Sequence, residues 1–102
     1  MKPGKNDEAI SIKIEGRQLA ELHKHTWQMA EAFGLDRKVE KYKGTREIKF
    51  YRWDVECLLD TISMVLDDER EYPQKEDESY IELSKLFQRL RDMYEKTYDA
   101  AY

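Results

Sequence analysis

The sequence predicts a mainly α fold: an N-terminal β-strand followed by a helix, a short connecting helix and a long antiparallel α-hairpin. Three observations carry that prediction. Apolar residues recur at spacings of three and four through most of the chain after residue 18, the signature of helices with one buried face. Isoleucines at 10, 12 and 14 alternate with Ser11, Lys13 and Glu15, the period of a half-buried strand. Gly16, Gly34, Gly44 and Pro73 fall where the spacing breaks, and these residue types interrupt regular structure.

Residues 1–8 read as a disordered tail, and residues 9–102 as a single mainly helical domain. After the strand, Gly16 permits a reversal into a helix from about Arg17 to Phe33. Its buried stripe is Leu19, Leu22, Thr26, Met29, Ala30 and Phe33. Gly34 ends that helix, Leu35 covers its last turn, and Asp36 caps a short helix through Val39 and Tyr42 that Gly44 stops. Thr45 is the expected cap of the longest helix, which runs toward Tyr72 before Pro73 forbids continuation. Its stripe is Ile48, Tyr51, Val55, Leu58, Leu59, Ile62, Val65 and Leu66, with Phe50, Trp53 and Cys57 on a second apolar face. Asp67, Asp68, Glu69 and Glu71 oppose the helix dipole, so fraying is expected after Leu66. In the last helix, "SYIE" has capping-box spacing, with Ser79 as cap. Tyr80, Leu83, Leu86, Phe87, Leu90, Met93, Tyr94 and Tyr98 then share one face.

The strand raises a question of partnership, because a lone strand leaves backbone donors and acceptors unpaired. The run "TREIKFYRW" also alternates locally and, taken alone, would supply a second strand. The unbroken helical spacing from Ile48 to Leu66 favours helix there instead. With no second strand, the economical partner is the same strand of another copy across a twofold axis. Ile10, Ile12 and Ile14 are then expected at a homodimer interface.

Composition limits the function classes. At 102 residues the chain has room for one modest core. No apolar run approaches the roughly 20 residues that span a bilayer, and "MKPGKNDEA" lacks the apolar stretch of a signal peptide. Cys57 is the only cysteine, so no internal disulfide forms, and a cytoplasmic setting is expected. The net charge of −4 conceals a strong polarity. Residues 36–53 sum to +4 and residues 54–82 to −9.

Chemistry-bearing residues are few. His23 and His25 stand about 200° apart on a helix and cannot share one ion, so no metal is expected. Cys57 lies among apolar positions beside Asp54, Glu56 and Asp60, which disfavour a thiolate. Glu56 with Asp60, and Glu95 with Asp99, have the spacing of magnesium-binding carboxylates on helices, but a charged helix face is usually a solvated one. The segment "TWQMAEAFGLDRKVEKYKGTR" resembles a DNA-binding helix-turn-helix over its first half. Met29 and Ala30 fall inside, Gly34 lies four after the alanine, Leu35 is buried and Asp36 caps. It departs at Glu40, where the pattern places an apolar residue. Arg37, Lys38, Lys41, Lys43 and Arg46 cluster there with Lys49, Arg52 and Tyr42, and such residues suit phosphate contacts. Tyr94, Tyr98 and Tyr102 repeat at spacing four, and Tyr98 and Tyr102 are the candidates for contact with a partner.

The sequence therefore leads to a non-enzymatic, cytoplasmic binding protein: an adaptor, accessory subunit or regulator. It is expected to form a homodimer, to meet an unidentified protein partner, and to use no cofactor, metal or membrane. The alternative is a small DNA-binding regulator using residues 37–52, and the third reading is a magnesium-dependent helical hydrolase.

Overall fold

The three isoleucines of the N-terminal strand all turn inward. In the computed structural model, which describes residues 8–26 and 34–99, Ile10, Ile12 and Ile14 are 2%, 3% and 0% exposed. The strand β1 (Ile10–Ile12) pairs antiparallel with a second strand, β2 (Ile48–Phe50), placing Ile10 opposite Phe50, Ser11 opposite Lys49 and Ile12 opposite Ile48. Between them in the chain lie α1 (Gly16–His23) and α2 (Leu35–Lys41). After β2 come α3 (Arg52–Leu66) and α4 (Glu78–Tyr98). The chain is mainly α, as the sequence predicts, with a two-stranded ribbon laid on it.

The ribbon corrects two expectations. Residues 48–50 are strand, not the first turn of the long helix. Ile48 and Phe50 are both buried while Lys49 is exposed, and Tyr51, which the helical spacing put in the core stripe, faces solvent. The backbone of β1 needs partners, and Ile48–Phe50 supplies them within the same chain. The isoleucine side chains also lie in the chain's own core, so they have little surface to offer a second copy. The premise of a strand-paired homodimer through Ile10, Ile12 and Ile14 is therefore lost.

Tyr42 closes the ribbon at the end where β1 leaves it. The backbone N–H of Ile14 donates to the Tyr42 hydroxyl at 3.2 Å, and that hydroxyl donates to the carbonyl of Arg46. Gly44 sits inside this clasp with φ of +79°, and a Cβ there would stand 2.9 Å from the Ile14 carbonyl oxygen and 3.2 Å from Leu19 Cδ2. A positive φ and a crowded Cβ position both require glycine.

The helices follow their apolar spacing once α3 is started at Arg52. Val55, Leu58, Leu59, Ile62 and Val65 of α3 are buried, as are Leu83, Leu86, Leu90, Tyr94 and Tyr98 of α4. The α4 helix is the spine, since α3, α1 and β1 all pack against it. Trp53 and Cys57 are exposed and half-buried respectively, so the start of α3 is not packed on both sides as the longer helix would have been. The helix ends at Leu66, where the acidic run opposes its dipole, and Tyr72 returns to the core from a loop. The cap of α4 is Asp77, not Ser79: its carboxylate accepts from the Ser79 N–H at 3.0 Å. Gly34, with φ of +91°, not Asp36, precedes the first residue of α2. The first helix is α only to His23, and Trp27, Met29, Ala30 and Phe33 lie outside the described residues, as do residues 1–7.

Gly44→Ala is expected to cost at least about 1 kcal/mol in urea unfolding, through positive φ and the clash with Ile14. Gly34→Ala, where nothing lies within 4 Å of the added carbon, should cost less. Equal losses would show that the contact across the clasp contributes nothing.

Candidate functional site

Two polar clusters bind the helices together and leave their reactive groups committed. In the first, Glu21 is 1% exposed yet carries a carboxylate. The Tyr72 hydroxyl donates to its Oε1 at 2.8 Å, and Lys24 Nζ donates to its Oε2 at 2.8 Å. His25 Nε2 lies 2.8 Å from the same tyrosine oxygen. Because the hydroxyl proton is used on Glu21, the contact with His25 requires a proton on Nε2. Burial pushes the His25 imidazole below its ordinary value, against the pull of Glu71 and Glu21. Burial also pushes Glu21 up, but hydrogen bonds from Lys24, Tyr72 and Ser79 outweigh it and hold the carboxyl below the usual range. Burial and Glu21 together raise Tyr72 far above an ordinary phenol, so it is held protonated. The cluster ties the loop after α3 to α1. Sequence reading passed over Glu21 and Tyr72, since only the fold brings residues 21, 25 and 72 together.

His23 has a separate task. Its Nε2 meets the Val39 carbonyl at 2.9 Å and so links α1 to α2. Among the described residues, no group of three or more His, Cys, Asp or Glu is placed to hold a metal ion.

In the second cluster, Tyr94 donates to Glu56 Oε2 at 2.6 Å and receives a bond from Arg52 Nε at 3.1 Å. The Arg52 guanidinium lies 5.5 Å from the Tyr94 ring centroid and 5.4 Å from that of Tyr98. Glu56 is thus joined to Tyr94 and Arg52. Tyr98 is buried, and its hydroxyl donates to the Glu8 carbonyl at 2.5 Å. Its side chain is spent on the core rather than offered to a partner, and Tyr102 lies outside the described residues. Burial pushes the Cys57 thiol up, with Asp60 and Asp54 adding to that despite a bond to Thr61.

The surface between α2 and β2 differs from both clusters. Lys38, Lys41, Arg46 and Lys49 line an open cleft whose walls also include Tyr42, Ile48 and Glu47. Arg37 and Lys43 are exposed in the same segment. Lys38 extends the cleft toward two aromatic side chains: its Nζ is 5.4 Å from the Phe50 centroid and 5.8 Å from that of Tyr51. Asp54, buried at 3.9 Å from Lys38, accepts from the Tyr51 N–H at 3.0 Å and occupies the N-terminal end of α3. Beside Lys38, Tyr51 and Trp53 stack with centroids 5.2 Å apart and planes at 14°. They are 44% and 50% exposed.

Of the basic residues singled out from sequence, Lys38, Lys41, Arg46 and Lys49 line this cleft, whereas Arg52 turns to Tyr94 and Glu56; the aromatic part of the surface was missed. Counting Tyr51 into a helical stripe hid it. Reading Ile48 and Phe50 as alternating would have put Tyr51 outside, next to Trp53. Of the residues that carry the helix-turn-helix resemblance, only Gly34, Leu35 and Asp36 are described, because residues 27–33 are not. The would-be recognition helix α2 is seven residues long with Leu35 and Val39 buried. No helix among the described residues is long and apolar enough to cross a membrane. No protein-family model, curated protein or solved structure matches the chain.

The folded His25 has a lower pKa than the unfolded one, so between the two values the unfolded chain binds more protons and stability rises with pH. Stability is therefore fully present above the ordinary histidine value, about 6.5, and is lost as pH falls below it. The lowered Glu21 continues the loss in the acid range. The melting temperature is expected to drop between about pH 7.5 and pH 5.5, and His25→Gln, whose amide can donate to Tyr72, should flatten that step. An unchanged step in the variant would assign it to other groups. Tyr72→Phe leaves Glu21 and His25 short of a partner and should cost about 1–3 kcal/mol in urea unfolding; a cost near zero would mean that water replaces the hydroxyl.

Proposed function

We propose that this chain is a non-enzymatic binding protein that takes a polyanionic partner on the surface formed by α2, the 42–47 turn, β2 and the first turn of α3. The observation that carries the reading is the joining, through Lys38, of a four-cation cleft to an exposed stacked aromatic pair. The sequence has a net charge of −4, yet Lys38, Lys41, Arg46 and Lys49 gather at one open cleft. Such a local excess steers and holds an oppositely charged partner despite the sign of the whole.

Several features speak against an enzyme in this chain. A thiol pushed up by burial is a poor nucleophile. Tyr72 is held protonated, and Glu56, the first of the candidate magnesium ligands, is bonded to Tyr94. None of these groups faces the basic cleft. The DNA-binding alternative keeps the same basic residues, and the stacked pair now adds to it a contact surface that the helix-turn-helix resemblance did not include.

Retention on immobilised heparin tests the reading, because an acidic protein without a functional basic face flows through at low salt. The chain is expected to be retained and to elute as salt rises, and Lys41→Glu with Arg46→Glu and Lys49→Glu combined should abolish retention. Flow-through of the unaltered chain, or undiminished retention of the triple variant, would overturn the assignment of this surface.

A further inference from the structure

We infer, on the basis of the polyanion-binding reading of this surface, that the partner is a single-stranded nucleic acid whose phosphates follow the cleft and whose bases stack on the Tyr51–Trp53 pair. Phosphate alone explains only half of what the surface presents. The fold buries Tyr42, Phe50, Tyr72, Tyr94 and Tyr98, each at 8% exposure or less, whereas Tyr51 and Trp53 are left about half in water. Their rings are nearly parallel and form a flat, polarisable stack joined to the cationic cleft through Lys38, whose Nζ lies 5.8 Å from the Tyr51 centroid. That combination, cations that track a backbone beside aromatic rings that accept base faces, is how single strands are held without reading their sequence.

The alternatives use less of the surface. In a duplex the base faces are already stacked on one another, so the aromatic pair would have nothing to receive. The helix available for a major groove, α2, is seven residues long and buries Leu35 and Val39. An acidic peptide would satisfy Lys41, Arg46 and Lys49 but gives no reason for two stacked rings beside them. A single strand engages the cations and the rings together, and Lys38, which belongs to the cleft and also lies against Tyr51, is the point where they meet. Glu47 lines the cleft and the buried Asp54 lies 3.9 Å from Lys38, so part of the positive charge that a strand would meet is offset.

Fluorescence anisotropy with labelled dT12, the matching duplex and a polyglutamate peptide tests this, using the full chain and its Trp53→Ala and Trp53→Phe variants. The chain should bind dT12 more tightly than either competitor. Trp53→Ala should weaken dT12 binding roughly 5- to 150-fold, the loss of one base–aromatic stack, and Trp53→Phe should restore most of it. The logarithmic salt slope should lie near about −2 to −3, as expected for three or four phosphate contacts to a single strand. Heparin has no bases to stack, so its retention should be the same for Trp53→Ala as for the unaltered chain, which also shows that the variant folds. Equal or tighter binding of duplex or peptide, or dT12 binding indifferent to Trp53→Ala, overturns the inference. If heparin is retained and dT12 is not bound, the single-strand inference falls while the polyanion reading stands; if neither binds, both fall.

Discussion

The pairing of β1 with β2 is the constraint on which the rest of this structure depends. A three-residue strand cannot leave its backbone bare beside an apolar core, and Ile10, Ile12 and Ile14 commit that segment to the core. The segment Ile48–Phe50 meets the need, at the cost of the helical turn its spacing also allowed. Once β2 is extended, Lys49 must point out and Phe50 in. Tyr51 then leaves the ribbon on the solvent side and α3 begins one residue later. The exposed aromatic pair and the shape of the basic cleft are consequences of that single exchange of hydrogen bonds.

Tyrosine hydroxyls do much of the long-range joining. Tyr42 reaches Ile14, Tyr72 reaches Glu21, Tyr94 reaches Glu56, and Tyr98 reaches Glu8. Each ring fills the core while its polar tip bonds to an element distant in sequence, which suits a small domain with limited apolar volume. Arg89 adds a similar tie by donating to the Lys13 carbonyl and to Gln18, fixing α4 to the corner between β1 and α1. Against this pattern, the outward placement of Tyr51 beside Trp53 is the exception.

Much of this was legible in the sequence because one face of each long helix is plainly apolar. The stripe of α4 and that of α3 from Val55 onward follow from spacing alone, and the acidic run after Leu66 marks the end of α3. The errors are local conflicts between two valid periods. Ile48 and Phe50 fit a strand and Ile48 with Tyr51 fits a helix, and only the unmet backbone of a segment 36 residues away decides between them. Asp77 and Ser79 are both good caps, and the choice depends on where the loop delivers the chain. Of the candidate surface, the cations could be read directly, since charge clusters in sequence. The stacked pair could not, because it depends on the strand assignment. The Glu21–Tyr72–His25 cluster has no local signature at all.

The clasp of Tyr42 and Gly44 against Ile14 bears on when the basic surface exists. The α3–α4 hairpin is closed by a short local loop, whereas joining Ile12 to Ile48 closes a span of 36 residues, an entropic cost of about 3 kcal/mol before any constant term. Such a contact is among the last to be rewarded as a chain folds. The hairpin core thus belongs to the local part of the landscape, and the cleft, whose wall is β2, belongs to the non-local part. A ligand that requires the closed ribbon contributes its binding free energy to closure by mass action. On the proposed reading, occupancy of the surface and completion of the fold form one coupled equilibrium.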